Sequence, residues 1–292
     1  MKIAIFGREF NSDFIAPIGD LLELLETRVS EFQIHENLYS YLTGSRRFSK
    51  PVSMFGSHEE LFKDTFCMIS IGGDGTLLDT ITLLKDSGIP VLGINTGRLG
   101  FLSAVSTNEV TSAAEALLGG NFSIDKRSLL RLEAPANLFG DFSFALNEFI
   151  LLKRDTSSMI TISVEVDGRF LNNYWADGLI VATPTGSTGY SLSCGGPIIS
   201  PETQNFILTP IATHNLTVRP IVIPDASTIR LRISGRQKEY LAGLDSRMRC
   251  LSDSVDFIVK KADFQINLIC IGQKDFFKTI RNKLAWGLDI RN

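Results

Sequence analysis

TFCMISIGGDGTLLDTITLLKDSGIPVLGINTG, from Thr65 to Gly97, contains two apolar runs separated by a helical pattern. The first run stops at the glycine cluster Gly72, Gly73 and Gly75, the helical pattern ends at Gly88, and the second run ends at Gly97. Strand, glycine turn, helix, strand is a βαβ unit, and its crossover makes the two strands parallel. Upstream, KIAIFG (Lys2 to Gly7) reads as another short buried strand. FIAPIGDLLELLETR then carries Ile18, Leu21, Leu22 and Leu25 at the i, i+3, i+4, i+7 spacing of a helix face. TNEVTSAAEALLGG reads as a further helix closed by a glycine pair. The polar, broken segment from Leu38 to Gly56 reads as loop. Its basic residues Arg46, Arg47 and Lys50 suit a solvated loop or, more sharply, a mobile lid.

The character changes after about Asn121. From Ser128 to Ile271 the chain becomes a series of short alternating β-rich runs with turn signals, among them the hairpin pair Asp167-Gly168. The expected fold is an α/β N-terminal domain with a parallel sheet, residues 1–126, followed by an all-β C-terminal domain, residues 127–273. The tail returns to a helical pattern, and the helix at 274–292 is expected to pack back on the first domain.

Composition narrows the function. A chain of 292 residues has room for roughly two domains. Its net charge of -3 speaks against a nucleic-acid binder, which needs basic surface against phosphates. No apolar window is long enough for a membrane span, and the N-terminal apolar run is too short for a signal peptide. Cys67, Cys194, Cys250 and Cys270 form no CxxC pair, which suits reduced thiols in a cytoplasmic protein.

Asp74 inside the glycine cluster poses the chemical question. GxxxxGK[ST] is absent, and GxGxxG would need a glycine where Leu78 stands. The loop nevertheless lies beyond a parallel strand and before a helix, where phosphates bind. A helix cap is the plain reading of Asp74. The functional one is a carboxylate that takes the proton of an attacking hydroxyl, or helps anchor a divalent cation, while glycine backbone steadies the phosphates.

A second cluster, ADGLIVATPTGSTGYSLSCGGPII, begins at Ala176. It sets Asp177 before an apolar strand and then a loop dense in Thr, Ser and Gly. That loop is either an ordinary turn-rich connection or a set of hydroxyls and open backbone for a polar ligand. Asn147 and Glu148 interrupt the apolar run ALNEFIL, either for a structural hydrogen bond or to meet a sugar's vicinal hydroxyls. Asp245 in LAGLDSRM gives a weaker signal of the same kind.

Taken together, GGDGTLL, LNE, DGLIVATPTGSTGYSLSCGGPI and LTPIATHNLTVRPIVIP occur in the order and spacing of NAD kinases, and the chain resembles that family from about Met68 to Ile271. GGDG alone is shared with lipid kinases and, in variant form, with phosphofructokinases, so the long TPTGSTGYSLS block is the more specific part. The resemblance implies transfer of the ATP γ-phosphate to the adenosine ribose 2′-hydroxyl of NAD, giving NADP. It implies a divalent cation, usually magnesium, and in some members inorganic polyphosphate as donor. It also implies a site in the crevice between the two domains and a homo-oligomer, a homodimer or homotetramer, with no nucleic-acid or membrane partner.

Carried onto this chain, the resemblance makes Asp74 the proton acceptor, with Gly75 beside it in the dinucleotide site. Asn147 and Glu148 bind the sugar and phosphate region, and Asp177 lies near the nicotinamide end. Thr188, Gly189, Tyr190, Ser191, Leu192 and Ser193 enclose an adenine portion, and Ala212 makes a backbone contact. No protein metal ligand is assigned. The chain departs from the family pattern at Asp79 and Trp175, where basic residues are common, at Gly189, a frequent alanine, and at Arg247, a place for glutamine in some relatives. Arg247 is a candidate for the missing positive charge. Two other readings stand beside this one, a lipid kinase of the GGDG group and a non-enzymatic dinucleotide sensor. His35, His58 and His214 are too scattered for a metal cluster.

Overall fold

The computed structural model describes residues 1–44, 46–97, 100–102, 105–154, 159–234, 239–252, 255–272 and 275–286. The chain divides into two compact units, Met1–Lys126 together with Ile266 onward, and Arg127–Gln265.

In the first unit the elements follow as β1 (Lys2–Gly7), α1 (Ile15–Arg28), β2 (Glu31–His35), α2 (Glu36–Thr43), β3 (Ser53–Phe55), β4 (Thr65–Ile71), α3 (Asp74–Leu84), β5 (Val91–Asn95), β6 (Val105–Ser106) and α4 (Val110–Leu118). The sheet order is β3-β2-β1-β4-β5-β6, and every pair is parallel. A parallel sheet needs cover on both faces, which is why β4 and β5 are buried almost throughout. The predicted α1 face of Ile18, Leu21, Leu22 and Leu25 joins Val110, Ala113 and Leu117 of α4 in one core with Ile5, Ile69 and Ile94 of the sheet. α3 buries Leu77, Ile81 and Leu84.

Two local expectations are corrected. Leu38–Gly56 is not all loop, because it holds most of α2 and the whole of β3. The His35 ring accepts the Asn37 N–H at the start of α2, and Leu38 and Leu42, one helical turn apart, enter the core. Two of the basic residues that follow are tied down. Arg46 donates to the Gly19 carbonyl at 2.6 Å and pairs with buried Glu26, and Lys50 donates to the Glu26 carbonyl at 2.8 Å. α3 also ends earlier than Gly88 suggested, with the chain turning at Lys85, whose φ is 53°.

The second unit is built from antiparallel strands. They are β7 (Ser123–Ala134), β8 (Phe144–Ala145), β9 (Glu148–Lys153), β10 (Ile160–Val166), β11 (Arg169–Ala176), β12 (Gly178–Ala182), then the one-turn helix α5 (Tyr190–Ser193), then β13 (Asn205–Ile211), β14 (Ile221–Pro224), β15 (Ile229–Ser234), β16 (Tyr240–Leu244), β17 (Arg247–Leu251) and β18 (Asp256–Cys270). One sheet runs β14-β13-β12-β9-β16-β17; β11-β10-β15-β18, with β7 beside β18, form a second layer. Alternate residues of each layer meet in a common core, with Phe149, Leu151, Leu179, Val181 and Leu208 from one and Ile160, Ile162, Val164, Leu231 and Phe257 from the other. The predicted hairpin at Asp167-Gly168 is present, with φ of 52° and 73° at the two turn residues.

From Ile266, β18 belongs to the first unit, where Leu268 pairs in parallel with Val91. The tail helix is α6 (Phe276–Leu284). Residue 274 and residues 287–292 of the predicted tail helix lie outside the described residues. No described helix is long and apolar enough to cross a membrane.

Leu42 is 3% exposed, so Leu42→Ala is expected to cost about 2–5 kcal/mol in a urea unfolding experiment. Thr43→Ala, at an exposed neighbour, is expected to stay within about 0.5 kcal/mol. Equal midpoints for the two variants would mean that α2 does not pack as described.

Candidate active site

β4 ends at Ile71 and delivers Gly72–Gly75 to the C-terminal edge of the parallel sheet. Asp74 is the first residue of α3, and the capping position belongs to Gly73. The helix-cap reading of Asp74 therefore does not hold. Its carboxylate reaches across to the segment beyond β5, where Oδ2 accepts the Phe101 N–H at 2.8 Å and Oδ1 the Leu102 N–H at 3.2 Å. Gly100 makes this approach possible, because a methyl group there would lie 1.8 Å from Asp74 Oδ1. Gly73 and Gly75 are exposed, with open space where side chains would stand, so a ligand can come against their backbone. Asp74 itself is half-buried. Lys283 of α6 is within electrostatic reach of it. Burial pulls the Lys283 amine down, and the Asp74 carboxylate opposes that shift.

A cleft of about 990 Å³ lies in the same unit, lined by residues that include Arg8, His35, Tyr41 and Asp79. Asp79 forms an ion pair with Arg8, which follows the end of β1, so the acid that departs from the family pattern carries its own cation.

In the second unit, Asn147 and Glu148 stand at the start of β9, joined to the hydroxyl-rich stretch by backbone. The Asn147 carbonyl accepts the Thr183 N–H at 2.8 Å. Gly186 packs so closely that a methyl group there would lie 2.1 Å from that carbonyl oxygen. The stretch is not an open loop but two helical turns, a 3-10 turn over Thr185–Thr188 and then α5. Many of its hydroxyls point inward. Thr183, Ser187 and Ser191 are fully buried. Ser191 shares a 2.8 Å hydrogen bond with Thr209, Ser187 Oγ accepts the Ile199 N–H at 3.0 Å, and Arg127 donates to Thr185 at 3.0 Å. Tyr190 and Ser193 are exposed, while Thr188, Gly189 and Leu192 are half-buried.

Gly189 faces Asn147 and Glu148. A methyl group there would lie 3.3 Å from Glu148 Oε2 and 3.8 Å from Asn147 Nδ2, so glycine leaves room that alanine would take up. Burial raises the Tyr190 hydroxyl, assisted by Cys194 and Asp177, and raises the Cys194 thiol, to which Glu148 adds. Glu148, Asn147, Gly189, Tyr190, Cys194 and Asp177 thus form one neighbourhood. Asp177 pairs with Lys153 at 2.6 Å, and its N–H donates to the carbonyl of Ile211, the residue before Ala212. Ala212 is exposed with a φ of 46°.

A carboxylate fixed beside open glycine backbone at the end of a parallel strand suits phosphoryl transfer. Family models agree. The ATP-NAD kinase N-terminal domain matches residues 26–122 and the ATP-NAD kinase C-terminal domain residues 146–270. An NAD kinase of Cytophaga hutchinsonii is 47% identical over 293 residues, covering 100% of both chains. The chain belongs to the NAD kinase family. One from Bacteroides fragilis is 39% identical over 292 residues, again covering 100% of both chains. Among solved structures, an NAD kinase from Archaeoglobus fulgidus in complex with ATP has a TM-score of 0.73 at 26% identity, covering 98% of this chain and 99% of that one. The yeast NADH kinase complexed with NADH shares the fold, with a TM-score of 0.88 at 23% identity over 100% of this chain and 89% of that one. Family membership makes the chain a phosphotransferase.

Arg247 does not offer its guanidinium as the missing phosphate-binding charge. It donates to the Leu244, Phe142 and Phe144 carbonyls and lies over the Phe144 ring. Trp175 packs against His214 with ring centroids 4.3 Å apart. The Gly100–Leu102 segment and its hold on Asp74 escaped sequence reasoning, because partners 27 residues apart leave no local pattern.

If the held Asp74 carboxylate takes part in the chemistry, Gly100→Ala is expected to lower kcat at least about tenfold, since misplacing a catalytic group is costly, with a much smaller loss of melting temperature. Unchanged kcat in a folded variant would show that the Asp74 carboxylate need not sit where the amides hold it.

Proposed function

We propose that this phosphotransferase moves the γ-phosphate of ATP to the adenosine ribose 2′-hydroxyl of NAD, with Asp74 as general base. The observation that carries this reading is the Asp74 carboxylate, fixed by two backbone amides beside exposed glycines. A ribose hydroxyl is a weak nucleophile. As its oxygen bonds to the γ-phosphorus, its proton passes to Asp74 and the bond to the ADP oxygen breaks. General-base assistance of this kind contributes ~10²–10⁴-fold. Alignment of donor and acceptor supplies much of the remainder.

In this reading, residues of the second unit hold the dinucleotide. Asn147 and Glu148 meet the sugar and phosphate region, Asp177 the nicotinamide end, and residues 188–193 with Ala212 the adenine portion. Ser191 serves through its backbone and through the turn its buried hydroxyl stabilises. Thr188, Gly189, Tyr190, Leu192 and Ser193 present surface to the ligand.

A divalent cation, magnesium, belongs with the donor as part of the substrate. Among the described residues no group of three His, Cys, Asp or Glu side chains could cage a metal. Magnesium is commonly held through substrate phosphates with few protein ligands, and there it neutralises triphosphate charge. Polyphosphate is the alternative donor. Cys67, Cys194, Cys250 and Cys270 form no disulfide among the described residues, which supports a cytoplasmic setting. Exposed Phe170, Ile221 and Val222 on β11 and β14 support a homo-oligomer, a dimer or tetramer.

Asp74→Asn keeps the shape and removes the base. NADP formation followed with a coupled dehydrogenase is expected to fall at least about a hundredfold, with NAD affinity by calorimetry nearly unchanged. Wild-type turnover in that variant would remove Asp74 from the chemistry. NAD binding with no product from the wild-type protein would favour a sensor, and labelled phosphate appearing in diacylglycerol would favour a lipid kinase.

A further inference from the structure

Two carboxyl groups of the second unit lie close together, and they are served very differently. Asp245, in the turn after β16, has a φ of 51°. Its Oδ2 accepts the Leu146 N–H at 2.9 Å, while Oδ1 accepts the Asn147 N–H at 2.8 Å and the Glu148 N–H at 3.2 Å. Its own N–H donates to the Glu148 carbonyl at 3.0 Å. Three consecutive amides thus grip one carboxylate, and Arg247 adds positive potential. Glu148 has the opposite surroundings: its Oε2 is buried and has no hydrogen-bond partner.

We infer that Glu148 meets the dinucleotide as a neutral carboxylic acid, donating a hydrogen bond to an acceptor atom of the ligand, and that Asp245 is the positioning residue that holds it in place and in that form. The inference rests on the reading of Asn147 and Glu148 as dinucleotide contacts. Neighbouring buried acids do not both ionise readily, and the charge settles on the one with donors. Asp245 has them. Burial, the largest influence, leaves its carboxyl raised on balance, and the three amides and Arg247 oppose that shift. At Glu148 burial, then the Asp245 carboxylate, push the carboxyl up to about 8 with no opposing donor.

The other groups around Glu148 do not reverse this. From α5 and the residue after it come Tyr190 and Cys194, both raised by burial. Beyond them Asp177 is paired with Lys153, and Arg247 is bound to main-chain carbonyls. The ligand chemistry agrees, since a dinucleotide carries a diphosphate that a second carboxylate would repel and a neutral acid would not.

Below about pH 8 Glu148 keeps its proton and donates. As pH rises through that value the donor is lost and a negative charge appears, so NAD binding weakens. The experiment is NAD affinity by calorimetry on the full chain, without ATP, from about pH 6 to 9.5 across the ionisation. It compares wild type, Glu148→Gln, Glu148→Ala and Asp245→Asn, each checked for folding by circular dichroism. Wild type is expected to weaken at least about threefold above pH 8. Glu148→Gln, permanently neutral and still a donor, is expected to bind within about threefold of wild type at pH 7 and to show no break. Asp245→Asn moves the break to lower pH; if that variant does not fold, the two Glu148 variants decide alone. Glu148→Gln binding as weakly as Glu148→Ala at pH 7 would overturn the neutral-acid form while leaving Glu148 as a contact. Glu148→Ala binding like wild type at every pH would instead remove the contact itself, and the inference with it.

Discussion

The grip of the Phe101 and Leu102 amides on the Asp74 carboxylate is the constraint on which the proposed chemistry depends. It exists because β4 and β5 are parallel neighbours in register, Ile71 opposite Ile94, so the segments beyond their ends emerge side by side. Buried strands set that register, and Gly100 leaves the space into which the carboxylate fits. A carboxylate held this way has less side-chain freedom to lose when a substrate arrives.

The same device appears again in the second unit, with a different consequence. Asp245 also takes consecutive backbone amides, but in a buried setting, and its charge acts on the acid next to it. In the proposed reading the half-buried amide-held carboxylate serves as the base, and the buried one shapes a neighbour. The turn built on Asn147 links these contacts to the hydroxyl-rich stretch, whose buried Thr183, Ser187 and Ser191 stabilise the turns that present Gly189 and Tyr190.

The βαβ unit around Asp74 was legible in the sequence because its signals are local: apolar runs, glycine stops, and a helical period between them. The strand alternation of the second unit was legible for the same reason. Helix α2 was not, since its two buried residues, Leu38 and Leu42, stand among polar neighbours and its cap is the side chain of a histidine. In the site, residue types were readable but directions were not. The composition of TPTGSTGYS shows hydroxyls without showing that Thr183, Ser187 and Ser191 are fully buried. Arg247 looked like spare positive charge, yet carbonyls 103 and 105 residues away claim it. Long-range backbone contacts of this kind leave no periodic trace.

The most direct measurement is a crystal structure of this chain with NAD bound, read at the Asp74 carboxylate. The expected result places a carboxylate oxygen within about 2.6–3.2 Å of the adenosine ribose 2′-oxygen, the reach of proton transfer. An adenosine ribose turned away from Asp74, with some other side chain against its 2′-hydroxyl, would contradict the account.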